Sequence, residues 1–127
     1  MNEKLKALIV DDEMDVCFLL SNVLKSKNFA VHSVHSIGEA RATLIQESPS
    51  VIFLDNHLPD GFGINFISEI KGNIPQVKIV MITAYDTKMD REKAYTEGAD
   101  YFIGKPFNRE DIFQAIDHTM KLKNVEL

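Results

Sequence analysis

Hydrophobic residues are distributed along the chain in two alternating modes: short unbroken runs, and longer stretches in which they recur every three or four positions. The first mode reads as strands buried on both faces, the second as amphipathic helices. Leu5 to Val10 is the first run. Met14 to Lys27 then sets Val16, Cys17, Leu19, Leu20, Val23 and Leu24 at helical spacing, with Lys25 and Lys27 near its end, where cations favour a helix terminus. Ala30 to Val34 predicts a weaker strand, and Ser36-Ile37-Gly38-Glu39 has the Ser-x-x-Glu form of a capping box opening a helix that Ser48-Pro49 closes.

The second half repeats the alternation. Val51 to Asp55 is an apolar run that stops on a carboxylate, and the turn 56–63 leads into a helix over Gly63 to Lys71 with Ile64, Ile67 and Ile70 at threes and Gly72 as its stop. Val77 to Ile82 is a further strand ending on Thr83-Ala84, followed by a charged helix over Thr87 to Glu97 with a thin apolar face, closed by Gly98. Tyr101 to Ile103 is a brief last strand before Gly104-Lys105-Pro106-Phe107. Asn108 then caps a final helix with Glu110 and Asp111 in its first turn and Lys121 and Lys123 in its last, leaving only Asn124 to Leu127. Five strand–helix alternations without repeats or linkers predict an α/β domain over residues 1–127, with a parallel sheet covered by helices on both faces.

Composition narrows the function. With 127 residues and 45% hydrophobic content the chain suits one continuous core. A formal net charge of -5 offers no basic stripe for phosphate backbones, so direct nucleic-acid contact is not expected and a protein partner is. Cys17, the single cysteine, reads as a small core residue and suits a reducing cytoplasm. No apolar run approaches the ~20 residues of a membrane span, and Asp11-Asp12-Glu13 interrupts the first hydrophobic segment before it could act as a signal, so neither membrane insertion nor export is expected.

In such a sheet ligands bind at the carboxyl edge. Each strand delivers chemistry there: Asp11, Asp12 and Glu13 from the first, Asp55 from the third, Thr83 from the fourth and Lys105 from the fifth. If the first and third strands flank the switch point, Asp11, Asp12 and Asp55 converge, and each pair about 5 Å apart costs on the order of 3 kcal/mol at an effective dielectric of ~20. Lys105 offsets part of this; a hard divalent cation, Mg²⁺ or Mn²⁺, suits oxygen ligands better. Metal, ammonium and hydroxyl around one carboxylate equip Asp55 to receive a phosphoryl group as nucleophile.

Val10-Asp11-Asp12-Glu13, Leu54-Asp55 with Leu58-Pro59 and Gly63, Thr83-Ala84, Gly98-Ala99-Asp100 and Lys105-Pro106-Phe107 occur in the order and spacing of one family. Over nearly its whole length the chain resembles the receiver domain of two-component response regulators. The resemblance implies a flavodoxin-like (βα)5 three-layer sandwich of strand order 2-1-3-4-5, and phosphorylation of Asp55 by a histidine kinase or histidine phosphotransfer protein. It implies Mg²⁺ held by Asp12, Asp55 and the main-chain carbonyl of His57, with Asp11 acting through water. Thr83, Ala84 and Lys105 would grip the phosphoryl group, and the Lys105-Pro106 bond would be cis.

Switching would run through Thr83 and through Phe102, a Phe where many members carry Tyr, to the face made by the fourth helix, fifth strand and fifth helix. That face would serve an effector or a homodimer. The phosphodonor would dock on Met14 and its helix with Pro106-Phe107. His57 and Tyr85 occupy the two positions that tune phosphoryl lifetime in the family, and both are bulky, which predicts slow hydrolysis. Such a protein is a switch rather than an enzyme, showing self-phosphorylation and slow autodephosphorylation only. It would be either a stand-alone regulator or a receiver excised from a longer transcription factor.

Rival readings fit less well. A flavodoxin-type cofactor binder needs a phosphate-cradling loop where this chain has Asp11-Asp12-Glu13, and an aspartate-nucleophile phosphatase of the haloacid dehalogenase type carries its nucleophile after the first strand. A degenerate receiver acting as a constitutive interaction module would not keep the complete acidic set with Thr83 and Lys105. His32, His35, His57 and His118 lack metal-ligand spacing, so no zinc site is expected.

Overall fold

The computed structural model describes residues 4–120. Strands β1 (Leu5–Val10), β2 (Phe29–Val34), β3 (Val51–Asp55), β4 (Lys78–Thr83) and β5 (Tyr101–Gly104) form one parallel sheet, and helices α1 (Met14–Ser26), α2 (Ile37–Gln46), α3 (Ile67–Asn73), α4 (Lys88–Glu97) and α5 (Arg109–Met120) connect or follow them. The order is β2-β1-β3-β4-β5, as the resemblance implied, which places the switch point between β1 and β3.

Period-two alternation explains why the strands read as continuous apolar runs. On β3, Ile52 and Leu54 face one cluster with Ile37 and Ala40 of α2, Ile67 and Ile70 of α3 and Ala94 of α4. Val51 and Phe53 face the other, with Leu20, Val23 and Leu24 of α1 and Ile112, Ala115 and Ile116 of α5. Neither face of β3 can be polar, and the first residue free to be so is Asp55, at its end. Burying a Leu, Ile or Phe stabilises the fold by roughly 1.5–3 kcal/mol each.

Boundaries differ from the predicted ones where local chemistry is specific. Beyond α1, Asn28 takes φ 68°, a left-handed turn that lets β2 begin at Phe29 rather than Ala30. Leu19, predicted on the core face of α1, is partly exposed, since the buried stripe runs through Cys17, Leu20, Val23 and Leu24. Gly72 does not stop α3, which runs on to Asn73. The stretch from Gly63 begins instead as a 3-10 turn, Gly63–Phe66, after a miniature hairpin pairing His57–Leu58 with Gly61–Phe62. Ser36 and Asn108 cap their helices: Ser36 Oγ accepts from the Glu39 N–H, although the Glu39 carboxylate accepts from the His35 N–H and not from that of Ser36 as a full capping box would have it, and Asn108 and Asp111 exchange side chain-to-backbone bonds. Lys121 and Lys123 lie outside the described residues.

Candidate functional site

Strand register brings the candidate residues together. Val10 pairs with Leu54, so the chain leaving β1 emerges beside Asp55; Asp55 itself pairs with Ile82, and Thr83 with Gly104, so Thr83 and Lys105 emerge on the other side. Carboxylate oxygens of Asp11, Asp12 and Asp55 lie within 4.8 Å of one another. Asp11 is fully buried, Asp55 is 4% exposed, and Asp12 faces solvent.

Lys105 reaches into this cluster from β5. Its Nζ lies 3.0 Å from Asp11 Oδ2 and 3.6 Å from Asp55 Oδ1, and it also bonds Glu13 Oε1. Burial works to lower the Lys105 pKa, but the bonds to Glu13 and Asp11 and the charges of Asp11 and Asp55 outweigh it, so the ammonium is held protonated. Asp55 is pushed up to about 6 by burial and then by the charge of Asp11, against the pull of Lys105. Asp11 is also raised, chiefly by burial.

One ammonium does not satisfy these acids. Asp11 Oδ1 accepts from the Glu13 N–H at 2.9 Å, whereas its buried Oδ2 has the ion pair to Lys105 but no well-directed hydrogen bond. An unsatisfied buried carboxylate oxygen among three convergent acids is the donor set that a hard divalent cation completes. The residues therefore fit Mg²⁺ or Mn²⁺.

Thr83 is buried, and its Oγ1 accepts from the Tyr85 N–H at 3.1 Å. Ala84 is exposed beside it. The Tyr85 ring, 57% exposed, packs at 4.3 Å between centroids on the exposed His57, which also meets Phe62 edge-on at 5.4 Å. The two positions named for phosphoryl lifetime thus touch each other across the mouth. Phe102 is 5% exposed, and the Arg91 guanidinium covers its ring at 4.7 Å while binding Asp86 Oδ1 at 2.5 Å. The Lys105–Pro106 bond is cis.

Several supports escaped sequence reasoning. Asn56 is buried and closes the loop after β3: its side-chain Oδ1 accepts from the Ile64 N–H and its carbonyl from the Gly63 N–H. Gly63, already among the motif residues, is a requirement of space, because a Cβ there would lie 2.2 Å from the Asp55 carbonyl oxygen. Asp60, at the hairpin tip, accepts from the Ile37 and Gly38 N–H groups at 2.9 Å each, and these bonds hold its carboxyl below the usual range. The Leu58-Pro59-Asp60-Gly61 turn was the available signal, but nothing in it names α2 as the partner. Cys17, read as core filler, is buried, with its pKa pushed up to about 11 by burial and then by the Asp11 charge.

Sheet order and edge chemistry together define a flavodoxin-like α/β domain with an acidic cluster and a lysine at its carboxyl edge. The chain belongs to the response regulator receiver domain family, whose model matches residues 7–117. It is 34% identical to the response regulator protein PilR of Pseudomonas aeruginosa over 121 residues, 95% of this chain and 27% of that protein. It is 32% identical to the transcriptional regulatory protein CpxR of Klebsiella pneumoniae, over 87% of this chain and 47% of that one. The chain thus spans less than half the length of these curated relatives. Among solved structures, the beryllofluoride-activated NtrC4 receiver domain dimer shares 33% identity at a TM-score of 0.87, with 91% and 96% of the two chains covered. A response regulator of Burkholderia pseudomallei with a phosphorylated aspartic acid and a calcium ion shares 26% at 0.84, over 93% and 71%. Among the described residues no helix is long and apolar enough to cross a membrane.

Proposed function

We propose that Asp55 accepts a phosphoryl group from a phosphohistidine of a sensor kinase or phosphotransfer protein, with Mg²⁺ held by Asp11, Asp12, Asp55 and the His57 carbonyl. The observation that carries this reading is the Lys105 ammonium set between Asp11 and Asp55 inside a cluster of three carboxylates with one buried oxygen left unsatisfied. The phosphorylated aspartic acid and calcium ion of the Burkholderia relative support it by analogy. Ionised Asp55 attacks phosphorus, the O–P bond forms as the donor's N–P bond breaks, and the imidazole leaves with a proton. A bound divalent cation supplies charge neutralisation on the transferring oxygens. Lys105 does the same from the protein side, and Thr83 has a hydroxyl to donate once it turns from the Tyr85 N–H.

An apolar depression of about 410 Å³ beside the site, lined in part by Val16, Leu19, Ala84, Pro106 and Phe107, suits a donor helix presenting its histidine to Asp55. The readout surface is α4, β5 and α5, where Arg91 covers Phe102 and is bound by Asp86 from the loop that follows Thr83. The kinship with the transcriptional regulatory protein CpxR favours a regulator of transcription as the whole protein, with that face serving an effector or, as the NtrC4 receiver dimer suggests, a second receiver. The cytoplasm, where the kinase's donor is charged, is its place of action.

Acetyl phosphate with Mg²⁺ should add one phosphoryl group to the chain, read by intact mass. Labelling that persists in Asp55→Asn would refute the assignment. The His57–Tyr85 contact shields the approach of water to Asp55, so His57→Asn and Tyr85→Ala should each shorten the phosphoryl half-life several-fold, on the order of 1 kcal/mol of barrier. Unchanged decay in both would remove that role.

A further inference from the structure

Among the four histidines, His35 stands apart: half-buried at the end of β2, it is the one whose ring reaches the acidic turn. Its Nδ1 lies 3.0 Å from the Asp11 carbonyl oxygen, and Cys17 Sγ donates to that same oxygen at 3.2 Å. A carbonyl only accepts, so His35 carries its proton on Nδ1. The histidine is itself fixed, because its main-chain N–H donates to Glu39 Oε1 of α2 at 2.7 Å. On its other side Asp11 is tied to β2 by its own N–H, which donates to the Val34 carbonyl at 3.1 Å.

The Asp11 carbonyl shares its peptide plane with the Asp12 N–H. Fixing that oxygen fixes the plane, and with it the direction in which the chain leaves for the Asp12 carboxylate. Asp11 and Asp12 are consecutive, one buried and one solvent-facing, yet their carboxylates must meet at one point within 4.8 Å of Asp55. Rotation of the plane between them would separate them. We propose that His35, assisted by Cys17, is a positioning residue that locks the Asp11–Asp12 peptide plane and so sets the affinity of the acidic site for a divalent cation. This rests on the metal-site reading above. The alternative role for both side chains is to fill space between β2, α1 and the acidic turn, which would affect folding stability alone.

The test uses the 127-residue chain and Mn²⁺ alone as probe, with free Mn²⁺ read by electron paramagnetic resonance and the melting midpoint read separately in EDTA. In asparagine the amide nitrogen is bonded to Cγ, as Nδ1 is in histidine, so His35→Asn can restore the donor; His35→Gln places its amide one bond farther out, and His35→Phe removes it. His35→Phe should weaken Mn²⁺ binding roughly tenfold, the lower end for loss of a group orienting a metal ligand, while His35→Asn stays within about twofold of wild type. Cys17→Ser should bind more tightly than Cys17→Ala.

Wild-type affinity in His35→Phe, whatever its melting midpoint, would overturn the proposal. Should His35→Phe fail to fold, long-range proton–nitrogen NMR of the wild type decides: an Nδ1–H tautomer is expected, and an Nε2–H tautomer would overturn it. Mn²⁺ binding that is lost in Asp12→Asn but untouched in His35→Phe removes this inference and leaves the metal site standing. A wild type that binds no Mn²⁺ removes both.

Discussion

A carboxyl shut away from water ionises reluctantly, and Asp55 illustrates the conflict between stability and function at a single residue. Burial and then the Asp11 charge raise its pKa to about 6 from the ordinary 3.8, with Lys105 and the His57 and Asn56 N–H groups opposing. The raised value means that the folded state holds this proton more tightly than the unfolded chain does. Its stabilising contribution is complete below about 3.8 and is lost as pH rises through about 6. At neutral pH the ionised nucleophile is therefore a cost to the metal-free fold. Asp55→Asn should stabilise the protein in EDTA at pH 8 by on the order of 2 kcal/mol and give little gain at pH 4, measured by urea unfolding. Equal gains at both pH values would contradict the burial argument. Gly63 is the opposite case, a residue that matters for what it lacks. With its Cβ position 2.2 Å from the Asp55 carbonyl, Gly63→Ala should cost about 3 kcal/mol or more and displace the loop after β3; a variant within about 0.5 kcal/mol of wild type would show that the backbone yields easily.

The elements divide by how they are held. Helix α1 buries four side chains, whereas the ten residues of α4 bury only Ala94 and rely on the Thr87 cap, the Gly98 stop and Arg91 laid over Phe102. Few buried apolar contacts mean a low local opening free energy, so α4 amides should exchange with solvent at least tenfold faster than those of α1, and Arg91→Ala should widen the gap. Hydrogen exchange by mass spectrometry checks this, and equal protection would rule it out. This weakness belongs to the element proposed to signal. It was also readable beforehand, because a charged stretch with a thin apolar face shows in the sequence as plainly as the solid run Val51–Asp55 does. Strands, caps at Ser36 and Asn108, and the residues meeting at the sheet edge were legible for the same reason: each follows from periodicity or from chemistry within a few positions. The reach of Asp60 to α2 and the bonds of Cys17 and His35 to Asp11 were not, since they join residues 6 to 24 positions apart and use side chains with many alternative partners; the hairpin 57–62 was not either, because its two-residue strands are too short to leave a periodic signal. Gly72 misled because a glycine at an exposed helix position costs only about 1 kcal/mol, which neighbouring Ile70 and Ile67 outweigh by burial.

At the scale of the molecule, charge is distributed unevenly. Asp11, Asp12, Glu13 and Asp55 face the single ammonium of Lys105, a formal -3 out of the -5 carried by the whole chain, gathered at one end of the sheet. Protons and divalent cations are then competing ways to relieve the same repulsion, and the fold should respond to them in opposite senses. In EDTA, stability should fall as pH rises through about 6, because Asp55 loses its proton there. With Mg²⁺ the dependence should flatten or reverse, since ionised carboxylates bind the cation and protonated ones do not. A cation present at a hundred times its dissociation constant adds about 2.7 kcal/mol to a site it binds only in the folded state. The upward shift in melting midpoint on adding Mg²⁺ should accordingly be larger at pH 8 than at pH 5, and should shrink in Asp55→Asn at both. Sodium at matched ionic strength separates this from general screening, which acts on exposed charges over about 10 Å and has no reason to depend on Asp55. A shift of the same size at both pH values, or one that sodium reproduces, would mean that the acidic edge is only a crowded surface and not a site the fold holds open for a cation.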